Sequence, residues 1–294
     1  MDAVSFGALV LPNEPWGALV DRWTRLEEGG LDSIWSCDHF TNPHKPATPW
    51  FEGWISLAGL AQETARVRVG LLVGAVVSRP PTLLAKQAQA VDHLSGGRLI
   101  VGLGAGGAPT DQSMWGVEEW SASERASRFA EYVELVARLM DDEVVDFRGR
   151  WYRADGATMS PGFVQAPRPP ILLAAHGAKS VRVSARHADI WNTFGPTLEE
   201  AARTSSALDE ACREMGRDPA EIRRSVLFGI REDTAWRTAE QFGDLVRRWH
   251  DAGFRDFLFY DPPYSGSGLD TAVPETITQL IDDTIPELRR ELAD

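Results

Sequence analysis

Short apolar runs alternate along this chain with longer stretches whose apolar positions recur every three to four residues. The run 4–11 reads as a strand, and Trp16, Leu19, Val20, Trp23 and Leu26 behind it share one face of a helix. Gly29-Gly30 stop that helix, and 31–35 reads as a second strand. A helix over 52–64 leads to 67–77, the most strand-like run of the chain. Pro80-Pro81 then open a helix through Leu94, since proline is tolerated in a first turn. Strand four is 98–103, followed by a helix striped by Phe129, Val133, Val136 and Met140. Strands five to eight are 171–173, 189–192, 225–230 and 256–260, with helical patterns starting near Lys179, Leu198, Ala235 and Thr276.

Eight β-α units without a change of composition predict an α/β fold, one (β/α)8 TIM barrel forming a single domain over 1–294. Two stretches exceed the minimal repeat, 39–51 after strand two and 143–170 before strand five. They are expected as loop insertions at the C-terminal face of the strands, and loops of that length are usually functional or disordered.

Composition narrows the function classes. With 43% hydrophobic and 25% charged residues, the chain is an ordinary globular one. A net charge of -13 and the lack of any polybasic run argue against nucleic acid and membrane surfaces as partners. The longest apolar run, 69–77, is too short to span a bilayer. No cation precedes Arg22, so no typical signal peptide is read and a cytoplasmic location is expected. Two cysteines, Cys37 and Cys212, make no disulfide framework.

Chemistry in a barrel of this kind sits at the C-terminal strand ends. Strand two ends in Asp38-His39, a carboxylate and an imidazole that can place a proton donor near a bound ring. The same pair also fits a turn-capping aspartate beside a solvated histidine. Strand four runs into Gly102-Leu103-Gly104-Ala105-Gly106-Gly107, which matches G-x-G-x-x-G. Ala108-Pro109-Thr110-Asp111 follows instead of a helix, and three β-α units precede it, so a Rossmann site is not read here. A strand end without side chains would let a flat ring approach the backbone.

Strand five ends in Ala174-Ala175-His176-Gly177-Ala178-Lys179 and enters a helix. Backbone N–H groups at that helix start and the charge of Lys179 suit a phosphate, although an ordinary βα turn has the same look. His93 reads as a helix-end residue, and His44, His187 and His250 lack partners at metal-ligand spacing, so no metal is expected. Cys37 reads as a small buried hydrophobe. Trp50, Trp54, Trp115 and Trp120 are candidates for the wall of an aromatic pocket.

Several stretches together resemble the luciferase-like monooxygenase superfamily. The strongest runs from Leu83-Leu84-Ala85-Lys86-Gln87 through Val91-Asp92-His93-Leu94-Ser95-Gly96-Gly97-Arg98 to Gly102-Leu103-Gly104-Ala105-Gly106. Ala185-Arg186-His187-Ala188-Asp189-Ile190-Trp191-Asn192 is similar to a second block, and Thr284-Ile285-Pro286-Glu287-Leu288-Arg289 to a third. The resemblance implies FMN or coenzyme F420 at the barrel mouth, with the ring against strand three and a non-prolyl cis peptide at Leu72-Val73. Asp38-His39-Phe40 resembles the deazaflavin branch, in which the histidine sits beside the reacting carbon. Glu52-Gly53-Trp54 resembles a further mouth feature, which makes Glu52 a candidate pocket residue. Ala174-Ala175 stand where the family has paired glycines, and His176 where it has a small residue.

The activity implied is F420-dependent hydride transfer to or from a small organic substrate. His39 would polarise or protonate that substrate, and Asp38 would orient the histidine. The alternatives are an FMN-dependent monooxygenase using reduced flavin and oxygen, and a protein that binds the cofactor without turnover. A homodimer and a separate flavin or F420 reductase are implied as partners, and the substrate is left to loops that carry no motif.

Overall fold

The β-type runs form strands whose order around the sheet closes a ring. The computed structural model describes residues 3–43, 45–106, 109–194, 197–231, 234–262 and 274–293. The first half of the barrel holds β1 (Ser5–Leu9), α1 (Trp16–Glu28), β2 (Ser33–Ser36), α2 (Gly53–Glu63), β3 (Arg68–Leu71), β4 (Gly74–Ala75), α3 (Pro81–Leu94) and β5 (Leu99–Gly104). After it come α4 (Pro109–Met114), α5 (Ala122–Asp141) and a hairpin of β6 (Val145–Arg148) and β7 (Arg153–Ala157). The second half holds β8 (Ile171–Ala174), α6 (Ala178–His187), β9 (Ile190–Phe194), α7 (Leu198–Glu214), β10 (Arg223–Leu227), α8 (Ala239–Asp251) and β11 (Asp256–Tyr260). The helical turns α9 (Pro274–Gln279) and α10 (Ile285–Glu291) close the described chain.

The parallel sheet runs β3-β2-β1-β11-β10-β9-β8-β5-β4, and pairing of β3 with β5 closes it. All eight expected strands are present, the third divided into β3 and β4 about a cis Leu72-Val73 peptide. The cis bond falls where the resemblance puts it. Closure gives each of the eight barrel strands two neighbours, with β3 and β4 counted as the two parts of the third.

Two apolar layers follow from this geometry. Inside the ring pack Leu9, Trp35, Cys37, Leu72, Ile100, Leu172, Ile190, Leu227, Leu258 and Tyr260. Outward-facing strand residues meet the helix stripes, for instance Phe242, Leu245, Val246 and Trp249 of α8. Phe228 touches Phe242, Trp249 and Phe257 at centroid distances of 5.9, 5.7 and 6.1 Å. Aromatic pairs of this type add about 0.5–1.5 kcal/mol each beyond their buried area. The helix expected from Ala235 starts at Ala239, because the Thr238 side chain caps it by accepting from the Gln241 N–H. No helix among the described residues is long and apolar enough to cross a membrane.

Much of the strongest sequence block is scaffold. Asp92 accepts from the N–H groups of Val164 and Gln165 at 2.7 and 3.1 Å and from the Gln165 amide at 2.8 Å. Arg98 donates to the carbonyls of Ala61, Thr64, Val67 and Ser95. His93 is bound to the Gly162 carbonyl at 3.0 Å, consistent with a helix-end role. These contacts tie the ends of α2 and α3 to the starts of β3 and β5 and to the segment before β8.

Only one of the two insertions lies where it was expected. The segment 143–170 joins the C-terminus of α5 to the start of β8, so it is rooted at the N-terminal face of the strands. It is also not a loop: β6 alternates buried and exposed residues and pairs antiparallel with β7. The hairpin tip folds back along α5, where the Glu131 carboxylate accepts the N–H groups of Arg150, Trp151 and Tyr152 at 3.0, 2.8 and 2.6 Å. The Arg128 guanidinium then contacts two indoles, 3.9 Å from Trp151 and 4.5 Å from Trp120.

His187, at the end of α6, is held neutral. Burial first, then the charges of Arg186, Arg168 and Arg217, lower its pKa from 6.5 to about 4. Between those values the unfolded chain binds a proton that the folded chain does not. This contribution is therefore complete above pH 6.5 and lost as pH falls towards 4. Denaturant unfolding at about pH 5 and pH 7 is expected to show a smaller gain on neutralisation for His187→Gln than for wild type. Equal gains would remove His187 from the acid response.

Candidate active site

Asp38 and His39 leave the end of β2 on opposite sides of the chain, as consecutive residues of an extended segment do. Asp38 turns inward and is 4% exposed. Its carboxylate accepts from the Ala75 N–H at 3.1 Å, the Ser78 hydroxyl at 3.2 Å and both terminal nitrogens of Arg79 at 2.5 and 2.9 Å. Arg79, 7% exposed, also donates to Glu52 at 2.8 Å. Burial opposes the guanidinium charge, but the Asp38 hydrogen bonds and the Asp38 and Glu52 charges hold the Arg79 pKa above its usual value. Glu52 in turn caps α2 by accepting from the Ile55 N–H at 2.7 Å. Gly53 follows because a Cβ there would lie 2.8 Å from Asp38 Oδ1 and 2.9 Å from the Cys37 carbonyl.

The expected orienting role of Asp38 is therefore corrected. His39 Nδ1 lies 2.7 Å from Oδ2 of Asp111, whose Oδ1 accepts the Phe40 N–H at 3.1 Å. Asp111 stands in the first turn of α4 and is buried. The Trp50 indole N–H donates to the His39 carbonyl at 3.0 Å, and the two rings are 6.3 Å apart. His39 Nε2 keeps no partner among the described residues, and the side chain is 37% exposed. With Nδ1–H given to a carboxylate, Nε2 can accept a proton or, in the imidazolium form, return one. Cys37 is buried, and burial followed by the charges of Asp38 and Asp111 pushes its thiol well up, which keeps it inert.

The strand-four glycines serve the protein before any ring. A Cβ at Gly102 would collide with the Leu71 carbonyl, and one at Gly104 with the Val73 side chain. Val73 thus occupies the space expected for a ring over Gly104. Ala105 is half-buried, Gly106 takes φ 70°, and Gly107 and Ala108, like His44, lie outside the described residues.

At the end of β8, Ala175 is buried and its carbonyl accepts the Trp191 indole N–H at 2.8 Å. Ala174 is half-buried, and Gly177 precedes Ala178 at the start of α6 with no side-chain cap on its N–H groups. Lys179 is exposed in that first turn. His176 is exposed by surface area, yet it is 3.2 Å from the Thr193 hydroxyl and edge-on to Phe194, and the neighbours on that side desolvate the ring and lower its pKa. Beside it, a cleft of about 560 Å³ opens between α6 and α7.

The five expected pocket residues divide, and Trp120 packs on the Arg128 guanidinium. Trp50 and Glu52 meet at the mouth through His39 and Arg79, and Trp115 packs edge-on to Phe40 at 4.9 Å. Trp54 does not belong with them. The helical phase of α2 turns it into the core with Leu57, Leu60 and Ala61, where it is 3% exposed. Arg79 and Asp111 were not foreseen. Asp111 carries one sequence signal, a carboxylate just past the glycine-rich strand end, but nothing local pairs it with a histidine 72 positions away.

Removing Asp38 leaves Arg79 buried with Glu52 alone. Asp38→Ala is expected to lose about 3–5 kcal/mol in denaturant unfolding, the usual cost of breaking a buried pair. Gly53→Ala, which overpacks the same carboxylate, is expected to lose about 1–3 kcal/mol. Wild-type stability in both variants would contradict this account of the mouth.

Comparison with known proteins agrees with this architecture. The profile of the luciferase-like monooxygenases matches residues 3–272. An F420-dependent glucose-6-phosphate dehydrogenase from Segniliparus rotundus is 31% identical over 225 residues, 73% of this chain but 64% of that relative's length. An F420-dependent secondary alcohol dehydrogenase, solved with an F420-acetone adduct, superposes with a TM-score of 0.82 at 18% identity over 97% of this chain and 99% of its own. A monooxygenase from Streptomyces bottropensis gives 0.78 at 21% identity over 96% and 99%. At such identities the two structures establish shared fold alone. The profile match covers nearly the whole barrel, and the chain belongs to the luciferase-like monooxygenase family.

Proposed function

We propose that this protein is an F420-dependent oxidoreductase that moves a hydride between the deazaflavin and a small organic substrate. The observation that carries the reading is His39 at the mouth, its Nδ1 fixed by Asp111 and its Nε2 unspent. The name of the relative that is 31% identical favours F420 over FMN. The residues present fit the cofactor. Val73 and Ala105, both half-buried, supply apolar surface for a flat ring, backed by Leu72 and by Gly104, which Val73 covers, and Gly106 supplies backbone beside them. Gly177, Ala178 and Lys179 supply uncapped N–H groups and a cation for a phosphate, and Ala174, Ala175 and His176 lead the chain into them. Coenzyme F420, when bound, supplies hydride transfer at a ring carbon without activating oxygen.

The chain's own part is the proton. With the tautomer set by Asp111, His39 Nε2 takes the substrate's proton on oxidation and gives it back on reduction. Asp38 acts behind it by fixing the β2 end and the start of α2. A homodimer, a cytoplasmic location and a separate reductase complete the reading.

Titration calorimetry with both cofactors is expected to show F420 binding more tightly than FMN. Tighter FMN binding would favour a monooxygenase. His39→Ala and Asp111→Ala are each expected to lose roughly 10²–10⁴ in turnover, with much smaller changes in F420 affinity. Wild-type turnover in both would remove the pair from the mechanism.

The phosphate end gives a pH test. Because desolvation lowers the His176 pKa, its imidazolium forms only below the ordinary histidine range of about 6.5. F420 affinity is expected to stay flat between about pH 7 and 8, to rise at lower pH, and to lose that rise in His176→Ala. Lys179→Ala should weaken binding across the whole range. If neither substitution alters binding, these side chains are not part of the phosphate site.

A further inference from the structure

The polar groups around His39 are almost all spent on one another. Asp38 accepts from Ala75, Ser78 and Arg79, and Arg79 is shared with Glu52. Glu52 also caps α2, Asp111 holds His39 and the Phe40 N–H, and Trp50 donates to the His39 carbonyl. Within this described group, Nε2 of His39 is the unpaired polar atom on an exposed side chain, since Arg79, whose Nε is also unpaired, is 7% exposed. The strand ends around it offer carbon. Leu11 after β1, Trp50 after β2, Val73 at the break of strand three and Ile230 after β10 are half-buried and pack on the interior cluster. Phe40, 45% exposed, and Trp115 extend that surface outward. Lys45 and Arg231, the cations of the neighbouring loops, are exposed.

The geometry points to a neutral, largely apolar alcohol, or the carbonyl compound it becomes, as the substrate class. This rests on the F420 reading above. With Val73 and Ala105 on the side assigned to the cofactor ring, Leu11, Trp50 and Ile230 remain as the facing wall. One hydrogen-bonding atom suits one reacting oxygen. A sugar phosphate carries several hydroxyls and a dianion, and each loses its water with no partner in this group to replace it. Among the described residues beside His39, a phosphosugar would find its cations in Lys45 and Arg231 of the outer loops. The step balances without a further co-reactant. The O–H proton passes to His39 Nε2, the carbinol carbon gives its hydride and both electrons to the oxidised deazaflavin, and the C–O single bond becomes C=O.

The test uses the full chain and separates binding from turnover. Quenching of F420 fluorescence measures cofactor binding, and loss of F420 absorbance then measures reduction with a series of 2-alkanols and with glucose 6-phosphate. Bound F420, with kcat/KM rising about fourfold per added methylene over the first members, is the expected result. Glucose 6-phosphate should fall at least about 100-fold below the best alkanol. Ile230→Ser should flatten the chain-length dependence while leaving F420 binding intact. Bound F420 reduced fastest by the phosphosugar, or by no alkanol, overturns the substrate class but not the cofactor reading. Failure of F420 to bind overturns both.

Discussion

Two charges removed from water organise the barrel mouth. The Asp38 carboxylate faces the Arg79 guanidinium at the end of β2, and between them they take in the Ala75 N–H, the Ser78 hydroxyl and Glu52 at the start of α2. A buried pair of this kind adds little net stability, because desolvation consumes most of the attraction. Its effect is directional. Two charges with no water to turn to accept one arrangement, so the break in strand three, the β2 end and the first turn of α2 are fixed relative to one another. His39, one residue from Asp38, inherits that fixed position and presents its ring outward.

The division of labour between neighbouring residues also explains what the sequence could and could not reveal. Eight strands were legible because each is a short apolar run flanked by helical stripes, and that pattern is local. Asp38 and His39 were legible as candidates because they end a strand at the chemically used face of the barrel. Their partners were not, since Arg79 comes from the loop after β4 and Asp111 from α4. A pairing across the barrel mouth leaves no periodic trace in one chain. Adjacency misled in the same way: two neighbouring polar residues suggested a dyad, whereas an extended backbone sends them to opposite sides.

The 143–170 segment shows the same limit for packing. Its length reads as a loop, yet Val145 and Phe147 alternate with Asp146 and Arg148 in a strand. Its tip matters because of where it arrives. Glu131 binds three successive N–H groups of the turn, and the Arg128 guanidinium contacts the rings of both Trp151 and Trp120. The Trp120 N–H is bound by Gln112, the residue after Asp111.

That shared contact ties together parts of the chain that begin at opposite ends of the barrel. For anyone exchanging loops between relatives to redirect specificity, the stretch from Pro109 to Trp120 is thus not a free cassette. Its far end rests on a guanidinium that the hairpin also contacts. A transplanted mouth loop carries its own geometry only if the turn at Arg150-Trp151 travels with it.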